Sequence, residues 1–555
     1  MVRTGEAGTA LGYATPFSGA GDDGLTDGSN SGGGKKAGLA REFSRRQVLL
    51  GAAGGLVLAG AGGVIGYEWP RSKRATAAGT KAGTHPNPDE ISRGLVERGQ
   101  VLRFVTRPDL RPPKVTVTSY APSPSSPPYI FLAPRSYLSG EEGQHGLMAI
   151  DRSGRLVWYQ PVGPQPFDLK VQSYRGKPVL TWWQGDVVYD YGVGTGEMAS
   201  TSYEQLQQIR AGNGLKADLH ELRLTSAGTA LLTAYQVVPA DLSAVGGKAK
   251  GKLVVGHAQE VDLATGKVLF DWDSLAHVPM EDSYKKINPP GDEYDYFHIN
   301  SIAEMPDGDL LISSLGTWAL YKVDRSTGNI VWCLGGKRSD FSFGPGARFY
   351  WQHDALPHGP DLISVFDDGA WPPEERQSRG LLLNVDTKSM HVSLRQAYLQ
   401  PARFLAANQG NVQMLPDGRA FVGWGNQPYF SEFSPGGELL LDGQMPFGYR
   451  SYRALTHDWQ GTPAEPPVAV AVGNPANGVQ VFASWNGATA VEQWLVLGGK
   501  EPTSLQPVGA QPWAGFETGI SLNATGPWFA VVAMGAGGKE IGRSSPVKSL
   551  SLAPR

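Results

Sequence analysis

One cysteine, Cys333, stands in 555 residues, so neither an intrachain disulfide nor a cysteine-based metal cluster can form. Excess charge is missing too: 49 Lys and Arg against 52 Asp and Glu leave a net charge of -3. That balance carries no basic footprint for nucleic acid. Uninterrupted helical stretches are scarce because glycine (73) and proline (41) punctuate the chain. Such a composition favours many short strands and turns. The chain is too long for one small core, and its length suggests about two to four domains or one large repeat architecture.

The longest apolar run lies near the start. Residues 1–40 are Gly/Ser-rich with acidic residues and are expected to be disordered. Within 41–75, Ser44-Arg45-Arg46-Gln47-Val48-Leu49 is a twin-arginine pattern, followed by a Gly/Ala-rich apolar run from Val48 to Tyr67 and a basic flank at Arg71, Lys73 and Arg74. A buried core helix is the competing reading, but the many glycines weaken a soluble helix. The expectation is a Tat-type export signal. It is either cleaved near Ala75-Thr76-Ala77 or kept as a transmembrane helix, since about twenty apolar residues just span a bilayer. The protein is then secreted or anchored at the cell-surface membrane. Residues 76–95 read as a linker, and 96–126 as leading strands with proline restricting their pairing.

Beyond the linker one signature recurs: an apolar strand, Asp, a turn ending in Gly, and a strand ending in a large apolar residue. Clear copies are "GLMAIDRSGRLVWYQPV" from Gly146, "HAQEVDLATGKVLFDWDSL" from His257 and "ALYKVDRSTGNIVWCLGG" from Ala319; weaker ones begin at Val187, Leu381 and Phe430. Other hairpins lie between them, such as "SIAEMPDGDLLISSLG" and "NVQMLPDGRAFVGWGN", each with Gly in a short turn between alternating strands. Two hairpins per repeat make a four-stranded sheet, and six such sheets match a propeller pattern better than a series of sandwiches. The fold expected is therefore all-β, with a six-bladed β-propeller over 127–455. Residues 464–555 alternate in short strands and suggest an immunoglobulin- or fibronectin-III-like β-sandwich with Trp485 and Trp494 in its core.

In a propeller the first strand of each blade lines the central channel. His220, His298 and His353 stand at the mouths of three such strands, and their offsets to the hairpin glycines Gly228, Gly308 and Gly359 differ by even numbers. With a side-chain period of two, all three face the same way. Asn408-Gln409-Gly410-Asn411 holds the parallel place in the next repeat. Asp354 is expected on the opposite face from His353 unless the strand bulges. His358 reads as a turn residue, His257 and His391 as structural. Three imidazoles at one pore suit a transition metal such as Zn²⁺, or a nucleophilic ring flanked by two hydrogen-bonding partners. Spacing alone does not decide.

The segments "GLMAIDRSGRLVWY", "KPVLTWWQG", "ADLHELRLT", "YFHINSIAEMPDGDLLISS", "YKVDRSTGNIVWCLGG", "QHDA", "GNVQMLPDGRAFVGWG" and "YFSEFSPGGELL" resemble, in order, the arylsulfate sulfotransferases, in particular their actinobacterial-type branch. The resemblance implies transfer of a sulfuryl group from a phenolic sulfate ester to a phenol through a sulfated histidine, without a nucleotide donor. On that pattern His353 of "QHDA" is the nucleophile, His298 the general acid/base at the ester oxygen, and His220 a donor to sulfate. Asn300, Asn408, Asn411 and Trp424 are the substrate-binding candidates; Trp182, Trp183, Phe297 and Trp351 are further aromatics for stacking or core. No cofactor and no metal are expected. One departure stands out: the arginine that follows "SS" in the well-studied branch is absent, and Ser313-Ser314 leads into Leu315-Gly316-Thr317-Trp318. Lys337, Arg338 and Arg379 are the replacement candidates. "DLATGKVLFDW" and "DRSTGNIVW" also resemble quinoprotein repeats, but six repeats and one cysteine argue against that class. An exported, non-catalytic propeller that binds a ligand or protein on its loops is the competing reading.

Overall fold

The computed structural model describes residues 55–60, 63–68 and 101–550, apart from 123–124, 137–142, 164, 288–290, 447, 475–477 and 525. The segment 1–40, the twin arginines and the linker 76–95 lie outside the described residues. The chain divides into two compact units, Met1–Lys81 and Ala82–Arg555. In the first, Gly55–Gly60 and Gly63–Glu68 pair as an antiparallel hairpin. This corrects the expectation of a transmembrane helix there. Among the described residues no helix is long and apolar enough to cross a membrane. Glycine costs a helix about 1 kcal/mol per residue relative to alanine, which is the physical reason the run gives way.

The second unit is all-β and built of antiparallel sheets; its only helical pieces among the described residues are the single 3-10 turns Ser243–Val245, Met280–Asp282 and Ala536–Gly538. Five four-strand meanders follow one another, each starting from its first strand. They begin at Pro166–Tyr174, Ala217–Leu224, Ile299–Glu304, His353–Pro357 and Asn411–Met414. The first two share the pair Gly194–Ala217 and so count as one larger sheet. A sixth sheet joins Tyr129–Leu132, Gly146–Asp151 and Leu156–Pro161 to Ala454–His457 from the far end of the repeat region. That pairing covers two edges that would otherwise stay open. Its strand also runs across residue 455, where the repeat region was expected to end.

Local chemistry explains the repeat. In each clear copy the recurring aspartate accepts backbone N–H groups two to four residues on: Asp151 from Ser153 and Arg155, Asp262 from Ala264 and Thr265, Asp324 from Ser326 and Thr327. This is the Asx-turn, with a glycine at positive φ closing it, as at Gly154 and Gly328.

Side-chain hydrogen bonds link the meanders in series, mostly through their first strands. Lys170 bonds Glu221, Tyr235 Oη donates to Ile299 O, and Asn300 Nδ2 donates to Gln352 O (2.7 Å). Onward, Val412 N donates to Asp354 (3.2 Å), Asn411 exchanges two bonds with Ala454, and Arg453 returns to Asp168 (2.6 Å). The last strand is thereby tied to the first.

Past this ring lie a three-stranded sheet (Val468–Asn474, Gly478–Ser484, Glu517–Leu522) and a five-stranded one that includes Gln493–Gly499 and Trp528–Gly535. Val479, Val481 and Ile520 of the first meet Trp494, Val496, Phe529 and Val531 of the second in one core; Trp485 packs half-buried against it.

Candidate functional site

The three histidines expected at the strand mouths come together. One ring nitrogen from each lies within 4.8 Å of the others; the His220 and His298 rings meet edge-on at 4.9 Å, and His220 and His353 lie 6.5 Å apart. Each first strand loses register with its neighbour at the histidine: between Ala217 and Leu222, between Ile299 and Ser301, and between His353 and Leu356. Such bulges turn side chains off the regular alternation. His298 itself has φ +52 and Asp354 φ +50, the left-handed region that non-glycine residues occupy at a cost. The even spacing survives because each of the three strands carries such a shift at or just past its histidine.

Each Nδ1 is held by a carboxylate. His220 pairs with Asp218 (2.7 Å), His298 with Asp295 (2.5 Å) and His353 with Asp368 (2.7 Å). Asp354 is not the partner of its neighbour: the bulge sends it to Val412 N and Arg453. For His353 the tautomer follows from its other contacts. Nδ1 lies 3.1 Å from the Trp351 carbonyl, which can only accept, and Nε2 lies 3.3 Å from the Gln409 N–H, which can only donate. The proton is therefore assigned to Nδ1 and the lone pair to Nε2.

The three carboxylates differ electrically. Burial works to raise Asp295, but Lys285 (2.9 Å) and His298 outweigh it and hold the carboxyl far below its ordinary range. Asp218 is likewise held down, against burial, by His220 and the N–H groups of Gly192 and His220. Asp368 moves the other way: burial, then the adjacent Asp367, push it well up. His353 is driven well below the usual imidazole value by burial, then by His220, His298 and Arg453. Burial lowers His298 as well, with Asp295 pulling it back. The site thus contains two ionised carboxylates and one that takes a proton readily, behind a ring that stays neutral. The histidines are closed off, at 4, 5 and 1% exposure for His220, His298 and His353.

The other candidates separate. Asn300 is buried beside the site with Oδ1 lacking a partner among the described residues. Asn408 is exposed, one residue before Gln409. Asn411 is not available to a ligand, because both ends of its amide hold Ala454. Trp424 is wholly buried against Phe366 and Phe404 with Nε1 on Ser431, so its faces are core. Trp183 and Phe297 also serve the core. Lys337 is engaged by the carbonyls of Glu281 and Ser283, Arg338 by Asp282, and Arg379 by Asp367 and Glu375; none is directed to the histidines.

Several neighbours escaped sequence reasoning. Tyr452 borders His220 (5.8 Å) and His353 (6.5 Å), and Tyr235 borders His220 and His298. The Tyr452 hydroxyl is buried without a partner among the described residues. Arg135 lies over the Phe167 ring and donates to Gln409 Oε1 (3.1 Å), one residue side chain removed from His353. Asp218 and Asp295 were findable as Asp-x-His and Asp-x-x-His; Asp368 and Arg135 carry no local signal.

A model of the arylsulfotransferase (ASST) family matches residues 170–446, a span that includes His220, His298 and His353. The match supports the family and, generally, a sulfotransferase-type activity on small molecules. No curated protein matches the chain. Among solved structures, the chain is similar to a protein of unknown function from Bacteroides caccae, with 12% identity, 60% of this chain and 99% of that one covered, and TM-score 0.36. It is similar also to streptogramin B lyase (11%, 66% and 94%, TM-score 0.30) and to virginiamycin B lyase from Staphylococcus aureus (8%, 61% and 99%, TM-score 0.28).

Proposed function

We propose, taking the arylsulfotransferase match as the premise, that this chain moves a sulfuryl group from a phenolic sulfate ester to a phenolic acceptor through a sulfated His353. The observation that carries the reading is the Nδ1–H tautomer of His353, which leaves an Nε2 lone pair among three histidines. Nε2 attacks sulfur, the N–S bond forms and the S–O bond breaks with its electron pair going to the phenolic oxygen. His298, protonated over ionised Asp295 against the burial that lowers its ring and so a ready acid, gives that oxygen a proton. His220, doubly protonated with its Nδ1–H on Asp218, donates from Nε2 to a sulfuryl oxygen. Asp368, whose carboxyl burial has raised, accepts the Nδ1 proton as the sulfated ring becomes cationic. In the second half an acceptor phenol gives its proton to His298, its oxygen takes the sulfuryl group as the N–S bond breaks, and Asp368 returns its proton to Nδ1, restoring His353.

The six four-strand sheets are read as the blades of a propeller over 127–455, supported by the side-chain ring and the shared sixth sheet. The two C-terminal sheets over 464–555 are read as an immunoglobulin- or fibronectin-III-like sandwich, supported by their common core. Export by a Tat-type route belongs to the same proposal and rests on the twin arginines. The three imidazoles, each backed by a carboxylate, also suit a divalent metal such as Zn²⁺, for which a carboxylate behind each ring is the usual support.

One experiment separates the readings. The purified protein is incubated with 4-nitrophenyl sulfate, with and without phenol, and nitrophenolate release is followed. Release that depends on acceptor, resists chelator and disappears in His353→Ala is expected. Chelator-sensitive release moves the assignment to the metal, and absence of release to a binding protein.

A further inference from the structure

Downstream of the histidines, five of the six first strands enclose a second space. It has a volume of about 560 Å³, within the range of small-molecule sites. Its floor is a buried ion network that separates it from the histidine layer. Arg453 bonds Asp168 (2.6 Å), Glu221 (3.1 Å) and Asp354 (3.2 Å), and Lys170 bonds Asp168 (2.7 Å) and Glu221. Arg175 and Arg223 stand on the wall above it. Four cations thus face three carboxylates, and moving a proton between Asp168 and Lys170 leaves the excess of one positive charge unchanged.

Three wall nitrogens are buried without a hydrogen-bond partner among the described residues: Nε of Arg223, Nε of Arg453 and Nε2 of His457. The Arg453 side chain is 1% exposed, so the cavity meets its positive charge and not a free N–H. Water would fill the space but would leave Leu224, Leu356 and Leu455, on the same wall, facing a polar filling. An acidic group on an apolar body answers both.

We propose that this cavity is a second ligand site, distinct from the histidine site, for a small organic monoanion with an apolar body, such as an aryl sulfonate, sulfate or carboxylate. The anionic head meets the part-exposed guanidinium of Arg223 in the positive field of Arg453, and the body lies against the leucines. The site stands whether or not His353 transfers a sulfuryl group, because none of the three histidines lines it.

The probe is naphthalene-2-sulfonate, whose carbon–sulfur bond is not open to sulfuryl transfer. Its binding to the full chain is measured by calorimetry for the wild type, Arg223→Gln, Arg175→Gln and His353→Ala. Binding at one site is expected, weakened about tenfold by Arg223→Gln, less by the exposed Arg175→Gln, and unchanged within about twofold by His353→Ala. Arg223 is partly exposed and Arg175 exposed, so both variants are expected to fold. Failure of the wild type to bind, survival of full affinity in Arg223→Gln, or loss of binding in His353→Ala overturns the proposal.

Discussion

Replacing Asp368 by asparagine removes the group able to take up the Nδ1 proton while keeping the shape of the side chain, and so isolates what the carboxyl does for His353. The bond it weakens is short (2.7 Å) and wholly buried, and it becomes charge-assisted as the sulfated ring turns cationic. Such bonds contribute about 2–3 kcal/mol. The Trp351 carbonyl at 3.1 Å still accepts from Nδ1, so the tautomer is weakened and not inverted outright. At about 1.4 kcal/mol per tenfold, kcat for 4-nitrophenyl sulfate is expected to fall about 30- to 150-fold. Stability moves the other way or stays level. Burial and Asp367 already disfavour charge on Asp368, so a neutral amide relieves that penalty. A pre-steady-state burst of nitrophenolate reads the attack by Nε2, and thermal unfolding reads the fold. A burst rate within about threefold of wild type would refute the reasoning, as would a melting temperature that collapses together with activity.

His298→Ala is expected to cost about 10²–10⁴ in turnover of unactivated phenyl sulfate and far less with 4-nitrophenyl sulfate, whose leaving group needs little acid; equal losses on both argue against general-acid assistance by His298. Trp424→Ala empties a fully buried indole site and should lower stability by about 3–5 kcal/mol, read from the urea midpoint, while Kd for an unreactive donor analogue holds. A change in Kd without loss of stability returns Trp424 to the substrate site. His457, lowered by burial to about 4, binds a proton in the unfolded chain below about pH 6.5 but not in the folded one. Stability should therefore fall as pH drops from about 6.5 to 4, by about 3 kcal/mol in total. Denaturation series across that window should show a shallower pH dependence in His457→Leu, and identical slopes count against the assignment.

The turn chemistry was legible in the chain itself. The aspartate that bonds the next N–H groups and the glycine at positive φ are neighbours in sequence, so the hairpins and their repetition could be read directly. The three histidines were legible for a related reason: offsets that differ by even numbers put them on one face of equivalent strands. Local signal ends at the bulges. Parity places Asp354 opposite His353 but says nothing of where a left-handed residue sends its carboxylate, and the structure directs it to Arg453. For Trp424 and Asn411 the sequence offered no way to tell core from channel, because both faces of a sheet share one apolar alternation; the packing against Phe366, Phe404 and Ala454 appears only in the structure. The apolar N-terminal run shows the same limit, since a hydrophobic Gly-rich stretch suits a strand pair as well as a helix.

By itself, then, the sequence determined the all-β class, the repeat and its turns, and the identity of the three imidazoles, because each depends on spacing along a few neighbouring residues. The tertiary structure alone decided the rest. Asp368 reaches His353 across a hairpin, Ala454–His457 completes a sheet begun more than 300 residues earlier, and Arg453 gathers Asp168, Glu221 and Asp354 from three strands into the floor of a cavity. These contacts join residues that are far apart in the chain, and the geometry and protonation of the site arise from them.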